Sequence, residues 1–163
     1  IKRPPERVGH MSIPNYIEWS DELSVGIQEI DEQHKYLVQL VNELNVHLLS
    51  HGSAKETVHE ALDKLIRYTE THFVVEESLM RILGYPDYDS HRQHHEDLIQ
   101  MVLDFRQQLN VEGRVSRTEL MEFLHKWLTY HILKEDKQYS EHFLSRGAQR
   151  SWLKGSWLKK FWK

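Results

Sequence analysis

Histidine and carboxylate residues at four-residue steps are the most chemically informative feature of this 163-residue sequence. His72 and Glu76 are four residues apart, as are His91 and His95, and this step places both members of a pair on one face of a helix. The chain has 12 histidines and no cysteine, which excludes disulfides, thiolate metal sites and cysteine nucleophiles. Because imidazole is the commonest metal-binding side chain, the pattern predicts a metal site of imidazole and carboxylate ligands.

Four segments with helical periodicity carry these residues. They span about 27–50, 53–83, 87–110 and 116–143. Within each segment, apolar residues recur at steps of three and four, which is typical of an amphipathic helix. Ser116 and Glu119 form a capping box at the start of the fourth segment. Since the connections are short, neighbouring helices must be antiparallel, and the sequence predicts an all-α, up-down-up-down four-helix bundle.

Polar side chains interrupt the apolar stripe of every helix. Extending each stripe by its own periodicity predicts that six of them face the interior at one end of the bundle: His34, His72, Glu76, His91, His95 and His131. His94, beside a stripe position, is expected to point away. Burying one such group without a partner costs roughly 1–3 kcal/mol, so six would consume most of the stability of a domain. Metal ions would supply the missing partners.

A seventh ligand is harder to place from the residues alone. Asp136 follows His131 by five residues, which is a rotation of about 140° on a regular α-helix. Glu135, at a four-residue step, aligns better with His131 in ideal geometry. Asp136 can share the site only if the helix widens locally, as in a π-bulge, or if the carboxylate reaches sideways. This reasoning leaves both residues open, with a weak preference for Asp136.

The spacing of these residues resembles the signature of the hemerythrin family, and within it the single-domain bacteriohemerythrins. The matching positions are His34, His72, Glu76, His91, His95, His131 and Asp136, and flanking Tyr16, Trp19 and Tyr139 also fit. The resemblance covers about residues 13–145. It implies two iron ions joined by an oxo or hydroxo bridge and by the carboxylates of Glu76 and Asp136. It assigns one iron to His91, His95 and His131, and the other to His34 and His72, with an open position for dioxygen.

This resemblance implies reversible dioxygen binding by an oxygen carrier, store or delivery protein that is not an enzyme. An oxygen or redox sensor that uses the same centre is the alternative function. A ferritin-like di-iron enzyme or iron store is less favoured. Its Glu-x-x-His spacing occurs at Glu56/His59 and Glu122/His125, but neither pair lies on an apolar stripe.

Charge and the chain termini complete the predictions. The formal net charge of −4 argues against nucleic-acid binding. With no secretory leader and no apolar run long enough to span a bilayer, we expect a cytoplasmic protein. Residues 1–12 resemble a flexible, tag-derived segment, and 13–146 are expected to form the bundle. Residues 147–163 form a basic amphipathic tail in which 151–163 carry three of the five tryptophans. This tail predicts contact with a membrane surface or membrane enzyme, as an alternative to folding back on the bundle or joining oligomers.

Overall fold

A computed structural model describes residues 13–50 and 55–146. The predictions for the N-terminal segment, for a helix start near residue 53 and for the basic tail lie outside the described residues. The proposed division of the chain into a bundle and two terminal segments therefore stays a prediction.

Four antiparallel helices form the described part of the chain, which confirms the predicted all-α bundle. The first three are α1 (Gln28–Leu49), α2 (Lys55–Ile82) and α3 (Tyr88–Glu112). The fourth is continuous but has three parts: α4 (Arg117–Tyr130), a π-helical turn (His131–Asp136) and α5 (Lys137–Ser145). Helix α2 packs against α1 and α3, and α1 also packs against α4. Within the described residues, no helix is both long enough and apolar enough to cross a membrane.

The ends of the helices follow from local chemistry. The hydroxyl of Ser116 accepts a hydrogen bond from the Glu119 amide at 3.3 Å and caps α4, as predicted. Helix α3 ends at Glu112 and is capped by Gly113, which has φ +73° and whose amide donates to the Leu109 carbonyl. Residues with side chains rarely adopt this left-handed conformation, so glycine is suited to the position.

The predicted apolar stripes form the core. On α1 and α4 nearly all stripe positions are buried, from Ile27 to Leu44 and from Leu120 to Trp127. The stripe of α3 is less completely covered, since Leu98 and Phe105 are only half-buried. Leu98 lines an open groove between α3 and the fourth helix, which explains its exposure. The bundle is therefore well closed around α1 and more open beside α3.

An N-terminal loop packs along α1 before the first helix begins. The amide side chain of Asn42 accepts hydrogen bonds from the amides of Tyr16 and Ile17 and donates to the Ile17 carbonyl, each at 2.9 Å. Farther along, the Asp31 carboxylate accepts from the Val25 amide at 2.8 Å and from the Ser24 hydroxyl at 2.5 Å. Two polar side chains of α1 thus satisfy the backbone of a loop that has no strand partner.

Candidate metal centre

All seven residues predicted as ligands meet at one level of the bundle. Their side chains come from every helix, and none has more than 4% of its surface exposed: His34, His72, Glu76, His91, His95, His131 and Asp136. The layer lies where the stripes of α1, α2, α3 and the fourth helix converge. The prediction that these side chains are interior is therefore confirmed, whereas their role as ligands remains to be tested.

The first half of the cluster combines α1 and α2. The Nε2 atoms of His34 and His72 are 3.1 Å apart. The Nε2 atom of His34 lies 3.3 Å from Oε1 of Glu76 and 3.0 Å from Oδ2 of Asp136. His72 also contacts Oε1 of Glu76 through Nε2. One oxygen of each carboxylate therefore faces this pair of imidazoles.

The second half of the cluster combines α3 with the fourth helix. The Nε2 atoms of His95 and His131 are 3.2 Å apart, and His95 Nε2 lies 3.5 Å from Oε2 of Glu76. Oδ1 of Asp136 is 3.0 Å from Nε2 of His131 and 3.4 Å from Nε2 of His91. In this half, the imidazoles face Oε2 of Glu76 and Oδ1 of Asp136, which are the carboxylate oxygens that the first half does not contact. Glu76 and Asp136 each divide their two oxygens between the halves, as a bridging carboxylate does.

The π-helical turn explains how Asp136 reaches the cluster. It begins at His131 and ends at Asp136, so five residues are accommodated in about the rotation that four occupy in an α-helix. Glu135 takes a different place, because its Oε2 lies 2.7 Å from Nδ1 of His131 on the outer side of the ring. The local widening required for Asp136 is therefore present, and Glu135 instead supports His131.

An outer layer of acceptors orients the imidazoles. Nδ1 of His95 lies 2.8 Å from a carboxylate oxygen of Glu77, and Nδ1 of His131 has the same relation to Glu135. Because ionised carboxylates can only accept, each Nδ1 carries a proton, and in the neutral ring Nε2 then presents a lone pair. Two such lone pairs 3.2 Å apart repel each other unless a positive charge lies between them. Outer-sphere acceptors of this kind are typical of histidines that bind metals.

The residues fit a two-metal site by a second criterion. Five buried atoms of the cluster have no hydrogen-bond partner: Nδ1 of His34, Nε2 of His91, Oε2 of Glu76 and both oxygens of Asp136. The oxygens of Asp136 lie within 3.0 Å of imidazole nitrogens, yet the alignment is unsuitable for hydrogen bonds. The ligand atoms form two groups that share Glu76 and Asp136, one with three histidines and one with two. In each group the ligand atoms lie within 4.8 Å of one another, close enough to bind a common metal ion.

Comparison with known proteins agrees with this arrangement. A family model described as the hemerythrin HHE cation binding domain matches residues 25–142. The chain belongs to the hemerythrin family. It is 33% identical over 142 residues to a bacteriohemerythrin from Stenotrophomonas maltophilia, and the aligned residues cover 86% of this chain and 91% of that protein. It is 30% identical over 127 residues to a myohemerythrin from Theromyzon tessulatum, covering 78% and 93%. A solved structure of wild-type hemerythrin matches with a TM-score of 0.71 and 28% identity, covering 77% of this chain and 95% of that one.

Positive and negative charges offset each other in this buried cluster when no metal is bound. Burial alone lowers the pKa of His34, but the adjacent carboxylates of Asp136 and Glu76 outweigh it and raise that pKa to about 9. Burial is likewise outweighed at His131, where Asp136 and Glu135 raise the pKa to about 10. Burial prevails at His72, whose pKa is lowered. Burial is also outweighed at His95, whose pKa is raised by Glu76 and Glu77. In the metal-free protein at neutral pH, protonated His34 and His131 therefore offset the negative charges of Glu76 and Asp136.

Several supporting residues were not predicted. The Phe73 ring stacks on the His95 imidazole at 3.6 Å with an interplanar angle of 1°, which fixes the orientation of that ring. Gln33 contacts Nδ1 of His72 at 2.6 Å, in the same way that Glu77 contacts His95. His94 is half-exposed as expected, but its Nδ1 lies 2.7 Å from Glu135 and extends the outer layer to the surface.

The ferritin-like alternative finds no support in the described residues. Glu56, Glu122 and His125 are exposed, and none of them joins a group that could hold a metal. His59 instead forms an ion pair with Asp63 at 3.1 Å on the same helix. These carboxylates and imidazoles lie on the outer surface, as their position off the stripes predicts.

Proposed function

We propose that this protein binds dioxygen reversibly at a non-haem di-iron centre and acts as an oxygen carrier or store rather than as an enzyme. The proposed iron ligands are His34, His72, Glu76, His91, His95, His131 and Asp136. The observation that carries the proposal is the pair of ligand groups that share both carboxylates but contain unequal numbers of histidines.

The unequal division supports one open coordination position. His91, His95 and His131 provide three nitrogens on one side, whereas His34 and His72 provide two on the other. Because the carboxylates are shared equally, the side with two histidines has one donor fewer. Two ferrous ions would supply the electrons for binding dioxygen, and the smaller ligand group leaves room for that molecule.

The surrounding residues favour reversible binding. No ligand has more than 4% of its surface exposed, which limits access of water. Tyr139 is fully buried beside the cluster, and burial together with the charges of Glu76 and Asp136 raises the pKa of its hydroxyl well above the ordinary value. This tyrosine therefore retains its proton and remains neutral. A dry site with few acidic protons favours release of intact dioxygen over further reduction.

Anaerobic reconstitution with ferrous iron tests the proposal. We expect two iron ions per chain, a new optical band on exposure to oxygen, and loss of that band under vacuum over repeated cycles. His131→Gln should abolish binding of the iron ion assigned to His91, His95 and His131. His125→Gln, at an exposed histidine of the same helix, should behave like the unmodified protein. Irreversible oxidation in the first cycle, or catalytic turnover of an added substrate, would contradict a carrier.

The number of cycles also separates a carrier from a sensor. A carrier must bind and release oxygen many times before the iron oxidises. A sensor requires only that oxygen or oxidation changes a contact with a partner. Measurement of oxygen affinity together with the autoxidation rate therefore tests the carrier assignment directly.

A further inference from the structure

An apolar groove lies between α3 and the fourth helix, outside the proposed oxygen site. It encloses about 850 Å³, within the usual range for small-molecule sites. Its apolar lining consists of Leu98, Met101, Phe123, Trp127, Tyr130 and Leu133. His131 also reaches its wall, so the groove adjoins the cluster of buried histidines.

Three large side chains expose much of their apolar surface along this groove. Met101 is 46% exposed, Tyr130 57% and Leu133 40%. Single exposed apolar residues are ordinary on protein surfaces, but a continuous group beside a concave surface is typical of a binding site. Leu98, a half-buried residue of the α3 stripe, belongs to the same surface. The groove therefore offers an apolar ligand a contact area that the bundle itself leaves uncovered.

The charge of the groove is opposite to that of the surrounding protein. The described residues contain 13 lysines and arginines against 24 aspartates and glutamates. No carboxylate lines the groove, whereas Lys126, Lys134 and His125 do. Neither lysine forms an ion pair with a described residue, and the Lys134 ammonium lies 5.5 Å from the centroid of the Tyr130 ring. Eight residues separate the two lysines, which is about 12 Å along the helix axis.

We propose that this groove binds a free long-chain carboxylate of the fatty-acid class. The hydrocarbon chain would cover Leu98, Met101 and Phe123, and the carboxylate would pair with Lys126 or Lys134. Unpaired cations beside an apolar surface favour an anionic amphiphile over a neutral or cationic one. The lysine-rich residues 151–163 are a poorer occupant, because their charge has the same sign as that of the groove.

Two amphiphiles with the same chain length and opposite charge test the head-group preference. Monomeric dodecanoate and dodecyltrimethylammonium, both below their critical micelle concentrations, would be titrated into the full chain by calorimetry. We expect dodecanoate to bind at least about tenfold more tightly than the cation, because the anion gains one ion pair with a lysine whereas both lysines repel the cation. Equal affinities would overturn the proposal, as would no binding of dodecanoate.

Matched variants locate the ligand. Met101→Glu places a carboxylate in the groove and should weaken dodecanoate binding at least about tenfold. Val111→Glu is the control, because Val111 is an exposed apolar residue of the same helix outside the groove. Circular dichroism would verify that both variants fold. If both variants bind dodecanoate as the unmodified chain does, the ligand lies elsewhere and the proposal is wrong.

Charge reversal tests the lysines and distinguishes a free ligand from a membrane. Lys126→Glu combined with Lys134→Glu should weaken dodecanoate binding, whereas Arg67→Glu, an exposed residue of α2, should have little effect. The full chain would also be mixed with vesicles of dioleoyl phosphatidylglycerol. Binding to these vesicles without binding to monomeric dodecanoate would overturn the proposal in favour of a membrane surface.

Discussion

Raising the pH should destabilise the metal-free protein steeply just above neutrality. The pKa of His34 is raised to about 9 and that of His131 to about 10, whereas both are 6.5 in an unfolded chain. Because the folded values are the higher ones, the stabilisation by these protons is fully present below pH 6.5. It is lost as the pH rises through 9 and 10. The carboxylates lose their protons at far lower pH and add no slope in this range.

The expected magnitude follows from proton linkage. Between pH 7 and 8.5 the unfolded imidazoles are mostly neutral while the folded ones are mostly protonated. With folded pKa values of about 9 and 10 against 6.5, the free energy of unfolding should fall by about 3–4 kcal/mol over this interval. At an m-value of about 2 kcal/mol per molar, the urea midpoint should fall by about 2 M.

Urea denaturation followed by circular dichroism measures this loss in chelator-treated protein. His34→Gln should remove about half of the 3–4 kcal/mol that is assigned to His34 and His131, and His125→Gln, at an exposed histidine, should retain all of it. Protein loaded with metal should lack this dependence, because the metals displace the protons from Nε2. A midpoint in the metal-free chain that stays constant or rises between pH 7 and 8.5 would refute the charge assignment.

Three further predictions concern the fourth helix. Glu135→Gln removes an outer-sphere carboxylate and should weaken metal affinity about 10–100-fold in chelator competition, while exposed Glu122→Gln should not. Deleting Lys134 should convert the π turn into an α turn, with Asp136 four residues after the last ligand histidine. Because the deletion also displaces Glu135 from Nδ1 of His131, metal content is measured by mass spectrometry at saturating iron, where it should remain as in the full chain. Loss of the metal under these conditions, as expected when deletion of Glu122 rotates the ligand positions by about 100° relative to the start of the helix, would contradict this geometry. Ser116→Ala removes the helix cap and should lower the free energy of unfolding by about 1 kcal/mol in urea; an unchanged midpoint would show that the cap contributes nothing.

Periodicity predicted the inner residues because burial leaves a regular trace in the sequence. His34 and His72 occupy positions where the same helices otherwise carry leucine, so a polar residue there is conspicuous. Asp136 was less certain because its position depends on a change in the hydrogen-bonding pattern of the helix. The π-helical turn is a change in the backbone, whereas an analysis of side-chain periodicity assumes a regular α-helical backbone.

The outer layer of acceptors and the groove could not be predicted from the periodicity of the sequence. Gln33 and Glu77 lie beside the stripes at partly exposed positions, where polar residues are ordinary. Their role emerges only when two helices bring acceptor and imidazole within reach. The groove likewise depends on the separation of α3 from the fourth helix, which the pattern of either helix alone does not determine.

The hydrogen bonds between Asn42 and the N-terminal loop have a consequence for hydrogen–deuterium exchange. The amides of Tyr16 and Ile17 share one side-chain acceptor on α1, although neither belongs to a helix or strand. Their exchange with deuterium should therefore be slower than that of loop amides without such a contact, since they are released only when the contact with Asn42 opens. Slow exchange of these two loop amides would therefore report that the loop remains packed against α1.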